Sequence, residues 1–355
     1  MLITILIVLI VAYLIATLLL AGPDLSIYDS PTGEWFSKHE DDQAADRRFL
    51  KLIASARQSV IKSRSIKGGM RIARKFADEL SDGLETDTEF RPVKANGVNC
   101  EWAIRKDSDH SKRILFLHGG AFLFGSPKGH RAFADQLSKL SNGVVLSVDY
   151  RMLPENGRLA SIEDSQRAYK WLLNNGPDAP STQVRKLLVA GDSAGGNLAL
   201  MLSAWSGDNA DRRPDAVIAF SPNADMTLVS PTIKRNQHTD KILGEGLGIL
   251  SKIPTPVRLL LSSVLMRCNP ANPLVTPLFQ DLSNLPPTLI HASSSEMLLG
   301  DAIRYTNKAR VSGSDVKLQV WKDQIHDWHL FNMGHGSAVS AWAEIEKFMS
   351  AKFGK

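Results

Sequence analysis

The sequence predicts an α/β fold with a mostly parallel, doubly wound sheet covered by helices on both faces. Three observations predict it. From Glu85 onward, short apolar runs alternate with longer stretches of helical period. One such run, Lys186–Ala190, leads through Gly191-Asp-Ser-Ala-Gly195 directly into a helical stretch, Asn197–Trp205, so that a serine stands at a strand-turn-helix junction. The 355 residues are 43% hydrophobic and 22% charged, with no repeat or low-complexity tract, which suits a large packed core and excludes a disordered or fibrous chain.

In chain order, residues 1–21 stand apart. Leu2 to Ala21 carries no charge and consists almost wholly of Leu, Ile, Val and Ala. Twenty such residues predict a transmembrane helix. No positive side chain precedes the run, so an uncleaved single-pass N-terminal anchor in a membrane is expected rather than a removed export signal; the side of the membrane is not specified. Residues 22–84 read as a helical cap segment. Within it, Arg47 to Lys75 holds ten Lys/Arg and no acid, while the whole chain is +5. Apolar residues recur at helical spacing (Phe49, Leu50, Ile53, Val60, Ile61, then Ile72, Phe76, Leu80), predicting two amphipathic helices broken at Gly68-Gly69. The basic face is either a solvated surface or one that lies against an anionic lipid surface. Nucleic acid is excluded as a partner because no aromatic platform or recognition motif accompanies the charge. Cys100 and Cys268 form no disulfide or zinc pattern and read as buried apolar residues.

Residues 85–355 read as the catalytic domain. Strands are expected at Val98–Ile104, Arg113–Leu117, Gly143–Val148, around Leu187, Val217–Phe220, Thr288–Ala292 and Lys317–Trp321. Helices are expected at Arg131–Leu140, Ser161–Leu173, Asn197–Trp205, Asp301–Val311 and Ser337–Phe353. The stretch 226–270, rich in proline and glycine, interrupts the alternation and reads as a cap insertion above the sheet.

The chemistry starts at Ser193. Glycine two positions before and after it, at Gly191 and Gly195, lets strand and helix approach where a Cβ would clash, and the serine then projects above the sheet at a helix N-terminus. A serine nucleophile needs a base, an acid that orients the base, and an oxyanion hole. Backbone N–H groups of His118-Gly-Gly-Ala121 after the Arg113–Leu117 strand, together with that of Ala194, can supply the hole; His118 itself reads as a structural hydrogen-bonder. Chemistry in doubly wound sheets sits at the carboxyl ends of strands. The segment after the last strand offers His326 and His329 as base, and the segment after the preceding strand offers Glu296 and Asp301 as acid.

With these residues in place, the chain resembles the hormone-sensitive-lipase-like branch of the α/β-hydrolases from about Glu85 to the C-terminus. Its H-G-G-G stands as His118-Gly-Gly-Ala121, its G-D-S-A-G-G as Gly191–Gly196, its D-Y-R-x-x-P-E as Asp149–Glu155, its S-P-x-x-D as Ser221–Asp225, and its L-P-P as Leu285–Pro287. The resemblance implies Ser193 as nucleophile, Glu296 as acid where the family usually has aspartate, and His326, in His326-Asp-Trp328, on the histidine of H-G-F. It implies Gly119, Gly120, Ala121 and Ala194 as the oxyanion hole. Two departures are the glutamate and Ala121 in place of the third glycine. The implied activity is carboxylester hydrolysis through an acyl-serine, on small-molecule esters of short to medium acyl chains. A lactone hydrolase or an arylacetamide-type deacetylase on the same triad is the alternative, and a non-catalytic ligand receptor a further one. No metal or organic cofactor is required. The oligomeric state, including a homodimer, stays open.

Overall fold

The computed structural model describes residues 2–178 and 182–353; the side chains of residues 2, 3, 5–10 and 12 lie outside the described ones. Nine strands form one sheet: β1 (Glu34–Phe36), β2 (Glu89–Ala95), β3 (Val98–Ile104), β4 (Asp109–Leu117), β5 (Gly143–Val148), β6 (Lys186–Asp192), β7 (Ala216–Phe220), β8 (Thr288–Ser293) and β9 (Val316–Trp321). Their spatial order is β1-β9-β8-β7-β6-β4-β5-β3-β2. The pairs from β5 to β1 are parallel, and β3 runs antiparallel to both β5 and β2.

The helices are α1 (Leu2–Leu19), α2 (Asp42–Lys62), α3 (Ile66–Asp78), α4 (Arg131–Ser141), α5 (Arg158–Asn174), α6 (Ala194–Asn209), α7 (Pro231–Arg235), α8 (Leu247–Ser251), α9 (Thr255–Met266), α10 (Leu299–Val311), α11 (Trp328–Phe331) and α12 (Gly336–Lys352). Alternate side chains of a strand serve opposite faces. Leu115 and Leu117 of β4 therefore pack with Tyr169, Leu172 and Leu198 of α5 and α6, while Ile114 and Phe116 pack with Phe133 and Leu137 of α4 and Trp342 and Ile345 of α12. Cys100 is buried and Cys268 half-buried, and both are free thiols.

Three details differ from the sequence-based expectation. The β2–β3 hairpin was not foreseen, although Asn96-Gly97 at its tip, with φ of 48° and 83°, is the dipeptide that a tight two-residue hairpin turn favours. The short edge strand β1 is held by pairing to β9, a contact no local pattern encodes. The break between α2 and α3 falls at Ser63–Ser65 rather than at the glycines, because Ser65 caps α3 by accepting the Gly68 N–H at 3.0 Å. Gly69 sits inside α3, where a Cβ would press on Val60 Cγ1 of α2 at 3.0 Å.

The N-terminal anchor is corrected. No helix among the described residues is long and apolar enough to cross a membrane. The end of α1 is also committed to the protein: it packs on α9, Ala16 and Leu20 are buried, and Asn269 Nδ2 donates to the Leu19 carbonyl at 2.8 Å. The expectation of a transmembrane helix and a membrane localisation is therefore withdrawn.

A buried carboxylate ties α2 to the far end of the chain. Asp42 accepts hydrogen bonds from Ser337 Oγ (2.6 Å), Ser337 N (2.9 Å), Gln324 Nε2 (3.0 Å) and His39 N (3.1 Å). Burial pushes its pKa up, but these four bonds outweigh burial and hold it below the usual carboxylate range. Replacing Asp42 by Ala removes the shared acceptor of these four bonds and should cost about 3 kcal/mol of stability, read as a lower denaturant midpoint at unchanged slope. A depressed acid contributes above its unfolded pKa and loses that contribution as pH falls through the folded one. The wild-type advantage over Asp42→Ala should therefore be full at neutral pH and vanish in acid.

Candidate active site

The site is built at the carboxyl ends of β4, β6, β8 and β9. Ser193 occupies the turn between β6 and α6 with φ 52° and ψ −110°, a region costly for a side chain with a Cβ. It is held there because its N–H donates to the Phe220 carbonyl at 2.8 Å and its carbonyl accepts the Asn223 N–H at 3.2 Å. The glycines around it are required by contact. A Cβ on Gly191 would strike the Gly195 backbone, one on Gly195 the Leu117 carbonyl, and one on Gly196 would meet Pro222 Cβ at 2.9 Å.

His326 follows β9 and brings Nε2 to 2.8 Å from Ser193 Oγ. Its Nδ1 lies 3.4 Å from Glu296 Oε1, after β8. Glu296 is fully buried; its Oε1 accepts Ser221 Oγ at 2.5 Å and its Oε2 accepts the Ser293 N–H at 3.2 Å. The loop carrying His326 is pinned by Ser293 Oγ, which bonds both the carbonyl (2.8 Å) and the N–H (2.9 Å) of Gln324. Beside Ser193, Gly120 (φ 113°) and Ala121 (φ 55°) form a left-handed turn after β4. Among the described residues their N–H groups have no protein acceptor. Ala194 opens α6, where the first N–H groups of a helix have no internal partner.

Comparisons with known proteins show the family of the chain that carries this site. A family model described as the alpha/beta hydrolase fold matches residues 114–330. A crystal structure of a hormone-sensitive lipase from a metagenome library superposes with a TM-score of 0.73 at 27% identity, covering 90% of this chain and all of that one. The chain belongs to the hormone-sensitive-lipase-like branch of the α/β-hydrolases. The hydrolase is also 32% identical over 266 residues to an esterase of Acinetobacter venetianus, covering 74% of this chain and 82% of that one. It is 32% identical over 240 residues to an acetyl-hydrolase of Streptomyces hygroscopicus, covering 68% and 75% of the two chains.

The alternatives open in the sequence part company in space. In this hydrolase Asp301 is buried away from the imidazole, its carboxylate accepting Ser230 Oγ (2.7 Å) and the Asp225 N–H (3.0 Å). Burial, with the Asp225 charge beside it, pushes it up to about 8. His329 meets His291 at 2.9 Å, packed among Phe220, Trp328 and Trp342, and burial lowers it well below its usual range. His118 is likewise lowered, to about 3, by burial and by the nearby His130. It stacks on Tyr150 with centroids 4.3 Å apart and bonds the Gly119 carbonyl at 2.8 Å, which makes it a neutral brace of the loop. Gly119 is a correction: its N–H donates to Asp192 Oδ1 at 2.9 Å and is thus spent inside the protein, which leaves Gly120, Ala121 and Ala194 of the expected set. Two contributors were not foreseen. Ser221 donates to the buried Glu296, and Asp327 touches His326; only the position of Ser221 in the S-P turn after a strand hinted at the first.

Changing Gly195 to Val places three carbons on the Leu117 carbonyl. Loss of about 3 kcal/mol or more is expected, together with loss of activity, both measured by thermal melting and ester turnover of purified protein.

Proposed function

We infer that the chain is a serine ester hydrolase in which Ser193 is the nucleophile, His326 the general base and acid, and Glu296 the group that orients the imidazole. The observation that carries this reading is the 2.8 Å contact of His326 Nε2 with Ser193 Oγ, with a buried carboxylate behind the same ring. Ser193 Oγ attacks the ester carbonyl carbon while its proton passes to His326 Nε2. The carbonyl oxygen takes the charge and is met by the N–H groups of Gly120, Ala121 and Ala194, helped by the positive end of α6. The carbon–oxygen bond to the alcohol breaks, and Nε2 returns the proton to the leaving alkoxide. Water then attacks the acyl-serine by the same route, releasing the acid.

Short- to medium-chain acyl esters are the proposed substrates. The methyl of Ala121 beside the hole and the relative named an acetyl-hydrolase support this. We read residues 22–84 and 226–270 as a cap over the body at 85–355. Arg57 of α2 joins the two cap parts, bonding Glu245 Oε2 and the Ile242 carbonyl, each at 2.5 Å. The groove between them, about 520 Å³, is lined by Leu50, Ile53, Arg57 and Ile249 among others and holds none of the three catalytic residues, so it suits entry rather than reaction.

Ser193→Ala should abolish turnover of p-nitrophenyl esters while leaving the melting curve near wild type. Glu296→Gln and His326→Ala should lose about three orders of magnitude. Asp301→Asn and His329→Ala should keep the bulk of the activity of whatever protein folds. The reverse pattern would reject the assignment.

The tip between α2 and α3 also suits an anionic lipid surface as a partner. Ile61 and Ile66 are 76% and 86% exposed there, flanked by exposed Lys62, Arg64 and Lys67. Binding to phosphatidylserine vesicles, little binding to phosphatidylcholine, and a steep loss with rising salt are expected in co-sedimentation. Binding unchanged at about 0.5 M salt would reject the contact, because screening at that strength removes surface attraction.

A further inference from the structure

The mechanism above makes no use of Asp327, yet this residue stands inside it. Its φ of 54° lies in the left-handed region, which favours glycine and tolerates aspartate and asparagine. The side chain is nearly buried, and Oδ2 is 3.1 Å from His326 Nε2, the nitrogen that also meets Ser193 Oγ. Oδ1 has no hydrogen-bond partner among the described residues. The imidazole is therefore bracketed by carboxylates, Glu296 at Nδ1 and Asp327 at Nε2. The other titratable groups near this pair are Asp192, at the end of β6, and His130, just before α4, whose Nε2 lies 3.4 Å from Asp192 Oδ2.

We propose that Asp327 competes with Ser193 for Nε2 of His326, the two side chains sharing one proton that must leave before the serine can be activated. The proposal rests on the reading of Ser193, His326 and Glu296 given above. One Nε2–H satisfies one strong acceptor at a time. While the shared proton is present, on the imidazole or on Asp327 facing it, Nε2 has no free lone pair for the serine proton. Once it has passed to solvent, Ser193 Oγ–H becomes the remaining donor to Nε2, and attack on the ester proceeds. The imidazolium formed during attack then sits between two carboxylates, which stabilise it. The same side chain thus delays the onset of activity as pH rises and supports the transition state once it has begun.

The electrostatics agree in sign. Burial alone would lower the His326 imidazole, but Asp327 and then Glu296 outweigh burial and hold it well above its usual range. Burial pushes Asp327 itself up to about 7, with His326 pulling the other way. A raised imidazole becomes a neutral base only at higher pH, so the acid limb of the rate profile is displaced upward. Removing Asp327 should bring it back down.

The test compares wild type, Asp327→Asn and Asp327→Gly, both replacements being compatible with the left-handed backbone. Two readouts are followed against pH: the rate of Ser193 labelling by a fluorophosphonate probe, and kcat/KM for p-nitrophenyl butyrate. In both variants the acid limb should move to lower pH by about one unit. Below the wild-type limb they should then label about tenfold faster than wild type relative to their own plateaus, while the alkaline plateau falls. A structural role alone would lower the whole profile without moving the limb. Coincident limbs in wild type and the variants overturn the proposal, as does a folded Asp327→Gly protein with no activity at any pH. A wild-type protein that the probe never labels at Ser193 would instead overturn the triad reading on which the proposal stands.

Discussion

The contact of Gly195 with the Leu117 carbonyl is the constraint from which the site follows. It presses the first turn of α6 against the end of β4, two elements that belong to adjacent strands of the sheet centre. Only hydrogen side chains fit at Gly191 and Gly195, so the backbone has no room to relax, and Ser193 is left with a φ of 52° at the apex. The same closeness sets the Gly120–Ala121 turn, which continues from β4, beside the free N-terminus of α6. One backbone contact thus positions both Ser193 and the N–H groups proposed to meet the oxyanion. The strain at the serine is borne by backbone bonds to Phe220 and Asn223 rather than by side chains that a substitution would easily remove.

Around that centre, polar side chains that take no part in bond making hold those that do. Ser221 and the Ser293 N–H hold the Glu296 carboxyl in place, and Ser293 Oγ pins the loop that leads to His326. Gln324, two residues before the His326 imidazole, bonds Asp42 of α2, so the helical N-terminal segment is tied directly to the loop carrying His326. Two nearby buried carboxyls have different neighbours. Glu296 faces an imidazole and a hydroxyl, whereas Asp301 shares its burial with Asp225, and burial with a like charge favours the neutral form. Environment, not residue type, sets a carboxyl beside the His326 imidazole apart from one that closes a loop.

Much of the fold was legible because its signals are local. Strand-helix alternation, the G-x-S-x-G junction and the glycine-rich turn each lie within a dozen residues and depend on hydrophobic period or the missing Cβ of glycine. The closing helix and the strands around Ser193 were placed to within a few residues. The N-terminal run misled for a related reason. Apolar composition tells that a helix wants burial but not in what. Residues 2–19 form the helix; it touches α9, its Ala16 is buried while Leu18 and Leu19 stay exposed, and its end is fastened by Asn269. The basic segment is similar: its helical period was readable, while the break between its helices was set by the capping of Ser65.

By itself the sequence determined the fold class and the glycine-flanked turn at Ser193, and it narrowed the candidate acids and bases to a short set. The choices within that set belonged to the tertiary structure, because they depend on side chains brought together across more than a hundred residues. The family resemblance favoured Glu296 and His326, but only packing shows Asp301 spent on the Asp225 loop and His329 spent on His291. Packing alone reveals that the Gly119 N–H is consumed by Asp192 and that Asp327 reaches Nε2 of the imidazole. A hydrogen bond is decided by tenths of an ångström between atoms, and no pattern along one chain carries that distance.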